Sequence, residues 1–361
     1  MEPGLASGAG AGWAEPCRKT SQYRGCGMRA LITGGAGFIG SHLAEHLLSS
    51  GHDVAVIDDL STGRLENIQH LRSNPRFHFA LDTIANEIVM DRLASECDVI
   101  YHLAAAVGVE MIVRSPVHTI ETNIMGTSAV FRVANRYRRK VILTSTSEIY
   151  GKSNKVPFAE DDDRLLGPTT RSRWSYSTSK AVDEFLALAY WKERGLPTVI
   201  VRLFNTIGPR QTGRYGMVVP RFVGQALANK PITVYGDGTQ SRCFADVREV
   251  VRGIQTLAEC AAAEGQVFNL GSSREISISD LARLVISVTG SASEIVYVPY
   301  EQAYEAGFED MLRRVPDTSK VKGLIGWTHQ VPLEDTLRNV ADHIRGAGPR
   351  QSGEGEVAHF G

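Results

Sequence analysis

Two residues in the middle of the chain, Tyr176 and Lys180, have the types and the spacing of an acid–base pair. They stand four positions apart at the start of a segment with helical periodicity, 177–190, so both side chains should lie on one face of a helix. A positive charge beside a phenol lowers its pKa and makes it a usable general base toward a hydroxyl group. A tyrosine and a lysine at this spacing are more often an exposed surface pair, so the interpretation depends on what else reaches the same place.

The segment 144–150 supplies further polar groups directly after an apolar run of strand type. Thr146, Ser147 and Glu148 offer two hydroxyl groups and a carboxylate at consecutive positions. Ligands of open parallel sheets bind beyond the carboxyl ends of the strands. We therefore expect these three side chains to share one site with Tyr176.

A glycine-rich turn near residue 34 has the spacing of a dinucleotide-binding fingerprint. Gly34, Gly37 and Gly40 follow an apolar run and precede a helical pattern, and Asp58 closes the next apolar run. Glycine lets the backbone approach a pyrophosphate, whose charge is met by N–H groups at the start of the helix. The Asp58 carboxylate would bind the ribose hydroxyls and repel a 2′-phosphate, so the cofactor is predicted to be NAD. Its oxidised nicotinamide would add a second positive charge beside Tyr176.

The elements that must position these residues alternate along the chain. Apolar runs of strand type occur at Arg29–Thr33, Asp53–Ile57, Asp98–Leu103, Lys140–Ser145 and Thr198–Leu203, with helical patterns between them. Continuous apolar strands separated by helices indicate a parallel sheet that is covered on both faces. After about Thr206 the alternation ends and prolines punctuate shorter elements. We predict an α/β fold, a Rossmann-type doubly wound parallel sheet, with a smaller mixed α/β C-terminal part.

The same patterns divide the chain into four segments. Residues 1–27 and 346–361 are rich in small and polar residues and are expected to be disordered extensions. Residues 28–205 are predicted to form the NAD-binding domain, including the catalytic residues. Residues 206–345 are predicted to form most of the substrate-binding part.

Composition excludes several classes of protein. The chain has 361 residues, 43% of them hydrophobic, and a formal net charge of −1, so it is globular and offers no broad basic surface for nucleic acid. It contains no apolar run of about 18 residues, the length that predicts a membrane span. Five scattered cysteines without CxxC spacing argue against a disulfide framework, and the histidines form no metal-binding motif. We expect a cytoplasmic protein without a metal ion.

Several motifs occur together in this chain. They are Thr33–Gly40, His102–Ala105, Asn123–Thr127, Tyr176 with Lys180, Arg202–Asn205 with Gly208–Arg210, and Val234–Gly238 with Arg242. By these motifs the chain resembles the extended short-chain dehydrogenase/reductases that act on nucleotide sugars, from Met28 to about Arg345. The resemblance implies NAD-dependent chemistry through a transient 4-keto sugar, with Tyr176 and Lys180 as the catalytic pair. It also implies that Thr146 binds the sugar 4-hydroxyl and that the protein forms a homodimer through helices near 118–136 and 176–192.

The predicted site residues form three groups. The catalytic group is Tyr176, Lys180, Thr146, Ser147, Glu148 and Arg242. The cofactor group is Gly34, Gly37, Phe38, Ile39, Gly40, Asp58, Asp82, Leu103, Ala104, Ala105, Asn123, Tyr176 and Lys180. The substrate group, which by the resemblance holds the nucleotide diphosphate, is Asn205, Val218, Tyr235, Arg242 and Arg314.

Ser147 and Glu148 bear on which reaction of the family is catalysed. The 4,6-dehydratases that resemble this chain carry Asp-Glu at these positions, and simple 4-epimerases usually have a small or hydroxylated residue in place of Glu148. The segment 145–150, with 173–177 and 241–244, looks most like UDP-glucuronate decarboxylases. The 106–114 segment departs from the decarboxylase pattern, so 4-epimerisation of UDP-glucose or UDP-glucuronate stays the alternative. A 4,6-dehydratase or a non-catalytic NAD-binding protein is less favoured.

Overall fold

The computed structural model describes residues 27–108, 115–213, 217–299, 311 and 313–346. The predicted N-terminal extension lies outside these residues apart from Gly27, and the predicted tail lies outside them apart from Gly346. Most of the 106–114 segment is outside them as well, since its described part ends at Gly108.

A seven-stranded sheet, in which every neighbouring pair is parallel, forms the centre of the fold. Its strands are β1 (Arg29–Thr33), β2 (Asp53–Asp58), β3 (Phe77–Leu81), β4 (Val99–His102), β5 (Lys140–Thr146), β6 (Thr198–Leu203) and β11 (Gln266–Leu270). They lie in the order β11-β6-β5-β4-β1-β2-β3. The strand order reverses between β1 and β4, and a crevice opens at the carboxyl edge of a sheet at such a point.

Helices cover both faces of this sheet. In chain order the helices of the described residues are α1 (Phe38–Ser49), α2 (Glu87–Glu96), α3 (Pro116–Tyr137), α4 (Arg173–Arg194), α5 (Val218–Leu227), α6 (Val247–Glu259), α7 (Ile278–Thr289), α8 (Ser319–Ile325) and α9 (Leu333–Gly346). Of these, α5, α7 and α9 belong to the C-terminal part. Side chains of a strand alternate between faces, so Ala30 and Ile32 join an apolar cluster with α1 and α6. Leu31 joins a second cluster with α2, α3 and α4. The predicted α/β fold with a doubly wound parallel sheet is thereby confirmed.

The C-terminal part contains shorter strands and a third apolar cluster. The strands are β7 (Thr206–Ile207), β8 (Ile232–Tyr235), β9 (Ser241–Cys243), β10 (Ala245–Asp246), β12 (Glu275–Ser277) and β13 (Ile295–Val298). They pair as β7 with β10, β8 with β13 and β9 with β12, and α5, α7 and α9 pack around the cluster. The predicted division at residue 205 stays a prediction. The later segment also returns to the first one, because β11 completes the main sheet and α6 packs against α1.

A buried polar network fixes the segment that follows β5. Arg202 on β6 donates from Nε and Nη2 to the Glu184 carboxylate on α4 at 3.0 and 2.8 Å. Its Nη1 donates to the Tyr150 hydroxyl at 2.9 Å, and that hydroxyl donates to Asn269 Oδ1 at 2.7 Å. All four side chains are buried. Because every link is satisfied, the network holds α4 against the 3₁₀ turn Ser147–Tyr150 in one arrangement.

Three observations bear on the class of protein. In the described part of the chain, no helix is long and apolar enough to cross a membrane. The same residues contain no group of three or more His, Cys, Asp or Glu side chains that could hold a metal ion. Cys97 and Cys243 are free thiols, whereas Cys260 is disulfide-bonded, a bond that the scattered cysteines did not predict.

Candidate active site

A cavity of about 840 Å³ opens at the carboxyl edge of the sheet. Of the predicted site residues it is lined by Gly34, Gly37, Phe38, Ile39, Gly40, Asp58, Asp82, Leu103, Ala104, Ala105, Thr146, Ser147, Glu148, Tyr176, Lys180, Asn205, Val218, Tyr235, Arg242 and Arg314. Strand ends contribute many of these residues, because β1, β2, β4, β5 and β6 all stop at this edge. The fold therefore brings segments far apart in sequence to one continuous surface.

The glycine turn has the close backbone approaches that a phosphate-binding turn requires. Gly34 has a φ of +71°, and a Cβ added there would lie 2.8 Å from the backbone nitrogen of Ala104. A Cβ added at Gly40 would lie 2.3 Å from the Gly34 carbonyl oxygen. The turn leads directly into the N-terminus of α1 at Phe38, where free N–H groups and the helix dipole favour an anion. These residues fit the pyrophosphate of a dinucleotide.

Asp58 lies at the end of β2 with its carboxylate fixed by backbone amides. Its Oδ2 accepts from Ala36 N at 2.9 Å and its Oδ1 accepts from Leu60 N at 2.8 Å. Burial raises the pKa of Asp58, and the two amide hydrogen bonds act in the opposite direction. Asp58 also lines the cavity. Its contact with a ribose stays a prediction.

Asn123 differs from the other predicted cofactor residues because it does not line the cavity. It is buried on α3, where its Oδ1 accepts from Ala106 N at 2.8 Å and its Nδ2 donates to Ser179 Oγ at 3.1 Å. Asn123 therefore joins α4 to the loop that follows β4. Direct contact of Asn123 with the cofactor stays a prediction, and the structure gives it a supporting position.

Tyr176 and Lys180 lie on α4 and both line the cavity. Both residues are buried, with 8% and 2% of their surface exposed. Burial, followed by the negative charges of Glu148 and Asp183, raises the pKa of Tyr176 well above its ordinary value. A hydrogen bond with Thr146 lowers the pKa of this phenol, but by less. The groups of the chain itself thus favour a neutral phenol, and the predicted acidity needs the additional positive charge of a cofactor.

Glu148 stands in the 3₁₀ turn after β5 and is held between two guanidinium groups. Its Oε1 lies 3.8 Å from Nη2 of Arg173 and 3.6 Å from Nη2 of Arg314. Both arginines are buried. Buried charges require partners, so the Glu148 carboxylate and the two guanidinium groups stabilise one another in the wall of the cavity.

Arg314 lines the cavity beside Glu148. Its guanidinium lies 3.6 Å from the carboxylate of Glu148, and its positive charge lowers the pKa of Tyr176. Its predicted role with the nucleotide diphosphate stays a prediction. Arg314 therefore lies at the catalytic side of the cavity. Within the predicted substrate group, Asn205 donates to the Cys243 carbonyl at 3.0 Å and Arg242 donates to the Ser241 carbonyl at 2.8 Å.

Several lining residues were not predicted. On α3 they are His118, Glu121, Thr122 and Met125, whose spacing of three, four and seven places them on one helix face. Arg173 stands three residues before Tyr176, one helical turn away, and helical spacing would have found it. Arg221 lies 3.9 Å from the ring centroid of Tyr235, a contact that depends on the tertiary structure.

The amino-acid sequence was compared with families and with individual proteins of known function. The sequence model of the family described as GDP-mannose 4,6 dehydratase matches residues 31–340. A UDP-N-acetyl-alpha-D-glucosaminuronate decarboxylase of Bacillus cytotoxicus is 41% identical over 319 residues, covering 88% of this chain and 98% of that protein. A UDP-glucuronic acid decarboxylase 1 of Xenopus tropicalis is 37% identical over 317 residues, covering 88% of this chain and 72% of that protein.

Solved structures show the same architecture. A UDP-glucuronic acid 4-epimerase of Bacillus cereus, in complex with UDP-glucuronic acid and NAD, has a TM-score of 0.80 and 32% sequence identity. The match covers 89% of this chain and 100% of that chain. The resemblance inferred from the motifs is confirmed, and this chain belongs to the extended short-chain dehydrogenase/reductase family of nucleotide-sugar enzymes that the GDP-mannose 4,6 dehydratase model describes.

Proposed function

We propose that this protein is an NAD-dependent enzyme that decarboxylates a UDP-linked uronate through a transient 4-keto sugar. The observation that carries the proposal is the position of Glu148 between Arg173 and Arg314. Two cations beside one carboxylate leave a net positive charge that can accept the carboxylate of a uronate. The decarboxylase relatives from Bacillus cytotoxicus and Xenopus tropicalis support the same reaction class.

The cofactor fits the residues that the cavity provides. The glycine turn and the start of α1 would hold the pyrophosphate of NAD, and Asp58 would bind its ribose hydroxyls. When bound, NAD supplies a hydride acceptor for C4 of the sugar. Tyr176 would take the proton of the 4-hydroxyl, while Thr146 would hold that hydroxyl in place.

Oxidation at C4 turns a UDP-uronate into a β-keto acid. The bond between C5 and the carboxylate then breaks, CO2 leaves, and the ketone accepts the electron pair. A proton must afterwards reach C5. Glu148 would lie beside this reacting end and position a water or another proton donor near C5, and Arg173 with Arg314 would orient the Glu148 carboxylate. Whether the 4-keto pentose is then reduced or released does not change these roles.

A 4-epimerase is the second candidate, because the epimerase of Bacillus cereus shares the fold at 32% identity. An epimerase must keep every carbon and return hydride to the opposite face of the sugar. The 106–114 segment favoured this alternative, but most of it lies outside the described residues.

Product analysis separates the two reactions. Purified protein is incubated with NAD and, separately, UDP-glucuronate, UDP-N-acetylglucosaminuronate and UDP-glucose, and products are identified by mass and NMR. The proposal expects CO2 and a UDP-pentose product from a uronate. Products that retain all carbons, with no CO2 from either uronate, would reject the decarboxylase and support the epimerase.

The protein is also proposed to be a homodimer. Apolar side chains are exposed on α3 and α4, including Val117 and Phe185 at 67% and 65% exposure, with Ile120 and Val182 nearby in sequence. The two helices pack against each other. Pairing them with the same two helices of a second copy would cover this surface.

A cytoplasmic location is proposed as well, on the basis of the scattered cysteines and the free thiols of Cys97 and Cys243. The disulfide at Cys260 counts against it, because such bonds are rare in that compartment. Imaging of the full-length protein with a C-terminal fluorescent tag, alongside a cytoplasmic marker, tests this location.

A further inference from the structure

Asp183 lies on the same face of α4 as the catalytic pair, one turn beyond Lys180. Tyr176, Lys180 and Asp183 stand at positions i, i+4 and i+7 of the helix. Lys180 Nζ donates to Asp183 Oδ2 at 2.8 Å. Lys180, which lines the cavity, is therefore ion-paired with Asp183, which does not line it.

The pair is almost completely shielded from water. The side chains of Lys180 and Asp183 are 3% and 0% exposed. No hydrogen bond of normal geometry reaches Asp183 Oδ1 from the described residues. Burying two charges and leaving one oxygen unsatisfied is costly, so a buried ion pair of this kind is weak evidence for stability. A role in setting the charges of the site explains the arrangement better.

A chain of polar groups leads from Asp183 to the cofactor turn. Thr33 Oγ1 accepts from Ala104 N at 3.2 Å and lies 2.7 Å from His102 Nδ1. His102 Nε2 lies 2.9 Å from Thr127 Oγ1. Burial raises the pKa of Asp183, while Lys180 and, to a smaller extent, Thr127 lower it.

His102 is uncharged within this chain of polar groups. Burial, together with the positive charge of Lys180, lowers the pKa of His102 to about 3. A neutral imidazole has one N–H and one acceptor nitrogen, so His102 can donate to one of the two threonine hydroxyls and accept from the other. The positive charge beside Asp183 therefore comes from Lys180 and not from the histidine.

Other charged groups near the pair are accounted for. On α4, Glu184 raises the pKa of Asp183 by its negative charge but is itself held by Arg202. From the 3₁₀ turn, the negative charge of Glu148 raises the pKa of Tyr176, as the charge of Asp183 does. From the C-terminal part, the positive charge of Arg314 lowers the pKa of Tyr176.

We propose that Asp183 is a positioning residue, the buried counter-ion that holds the Lys180 ammonium in place and governs the pH range in which Tyr176 works as a base. Its negative charge opposes ionisation of the nearby phenol and partly neutralises the lysine. The inference rests on the proposed role of Tyr176 as base, and it does not depend on which nucleotide sugar is the substrate.

The test replaces Asp183 by an uncharged residue of the same shape. In Asp183→Asn the phenol ionises more readily, so the acid limb of the kcat profile should move to lower pH by about half a unit or more. Lys180 is held less firmly, so kcat at the optimum should fall while KM stays within about twofold. Asp183→Glu keeps the negative charge, so the acid limb of its kcat profile should stay at the wild-type pH.

A spectroscopic titration gives a readout that does not need turnover. The ultraviolet absorbance of tyrosinate is followed against pH, with and without NAD, and the same titration of a Tyr176→Phe version is subtracted to isolate Tyr176. In Asp183→Asn this signal should also move to lower pH. Asp183→Ser, which is smaller and uncharged, carries the same expectation if Asp183→Asn does not fold.

Glu249→Gln is the matched control. Glu249 is a buried carboxylate on α6 that accepts from Gln330 N at 2.9 Å and does not line the cavity. It should lower stability and leave both pH curves unchanged. The proposal is overturned if the uncharged Asp183 variants show curves at the wild-type position or shifted to higher pH, even when kcat falls.

Discussion

The Ser177 hydroxyl donates to the backbone oxygen of Glu148 at 2.8 Å. This bond joins the helix that carries Tyr176 to the 3₁₀ turn that carries Glu148. It spans 29 positions in sequence. A side-chain to backbone hydrogen bond therefore links the segments that carry the proposed base and Glu148.

Removal of the phenolic oxygen tests the proposed base. Tyr176→Phe should lower turnover by about a hundredfold or more, since no other group is proposed to take the 4-hydroxyl proton. Binding of the nucleotide sugar, measured by calorimetry, should change little. Tyr190→Phe is the control, because Tyr190 lies on the same helix but packs against Phe131. A Tyr176→Phe enzyme with a near-normal rate would show that another residue is the base.

The role of Glu148 predicts a separation of rate from binding. Glu148→Gln should slow CO2 release from the uronate substrate by about tenfold or more with a smaller change in substrate affinity, as expected for a group that acts in the transition state. Glu264→Gln removes a carboxylate that pairs with Lys140 at 2.9 Å, outside the cavity, and should have no such effect. Equal losses of affinity and rate would assign Glu148 to binding.

Cofactor preference follows from the carboxylate at the end of β2. Asp58 should make NAD bind at least tenfold more tightly than NADP, which corresponds to about 1.4 kcal/mol. Asp58→Asn should narrow this difference, whereas Asp53→Asn, at the other end of the same strand, should not. Equal affinities of the wild-type protein for the two cofactors, measured by calorimetry, would contradict the prediction.

Two buried histidines predict loss of stability in acid. Burial lowers the pKa of His42 to about 4 and that of His102 to about 3, below the unfolded value of 6.5. Below pH 6.5 the unfolded chain takes up protons that the folded protein does not, so the free energy of unfolding falls as the pH falls. Each histidine contributes a slope of up to about 1.4 kcal/mol per pH unit.

Urea unfolding between pH 7 and 5 measures this slope. His42→Gln should reduce the slope by the contribution of one histidine, because residue 42 then no longer titrates. An identical slope in wild type and His42→Gln would mean that the folded protein protonates His42 as readily as the unfolded chain.

The proposed dimer is tested at its exposed apolar surface. Phe185→Glu places a charge where Phe185 is 65% exposed and should shift the protein to monomer in light scattering. Ile88→Glu, at an 84% exposed position on α2, is the control and should not change the mass. A wild-type protein that is monomeric at micromolar concentration would reject the dimer.

The sequence by itself determined the nucleotide-binding half and the family. Glycine spacing, an acid at the end of the next strand and a tyrosine four residues before a lysine are local patterns, because each is read along one strand, turn or helix. These patterns predicted the glycine turn, Asp58 and the catalytic helix, and the structure places all of them along one cavity.

Only the tertiary structure decided which charges meet. Arg314 and Glu148 lie far apart in sequence, and no periodicity connects them, so their contact at 3.6 Å could not be predicted. The pairing of Lys180 with Asp183 was within helical reach but needed burial to become significant. Burial, and with it the strength of every charge interaction in the site, is set by how the helices and the C-terminal part pack around the sheet, and this is a property of the whole fold.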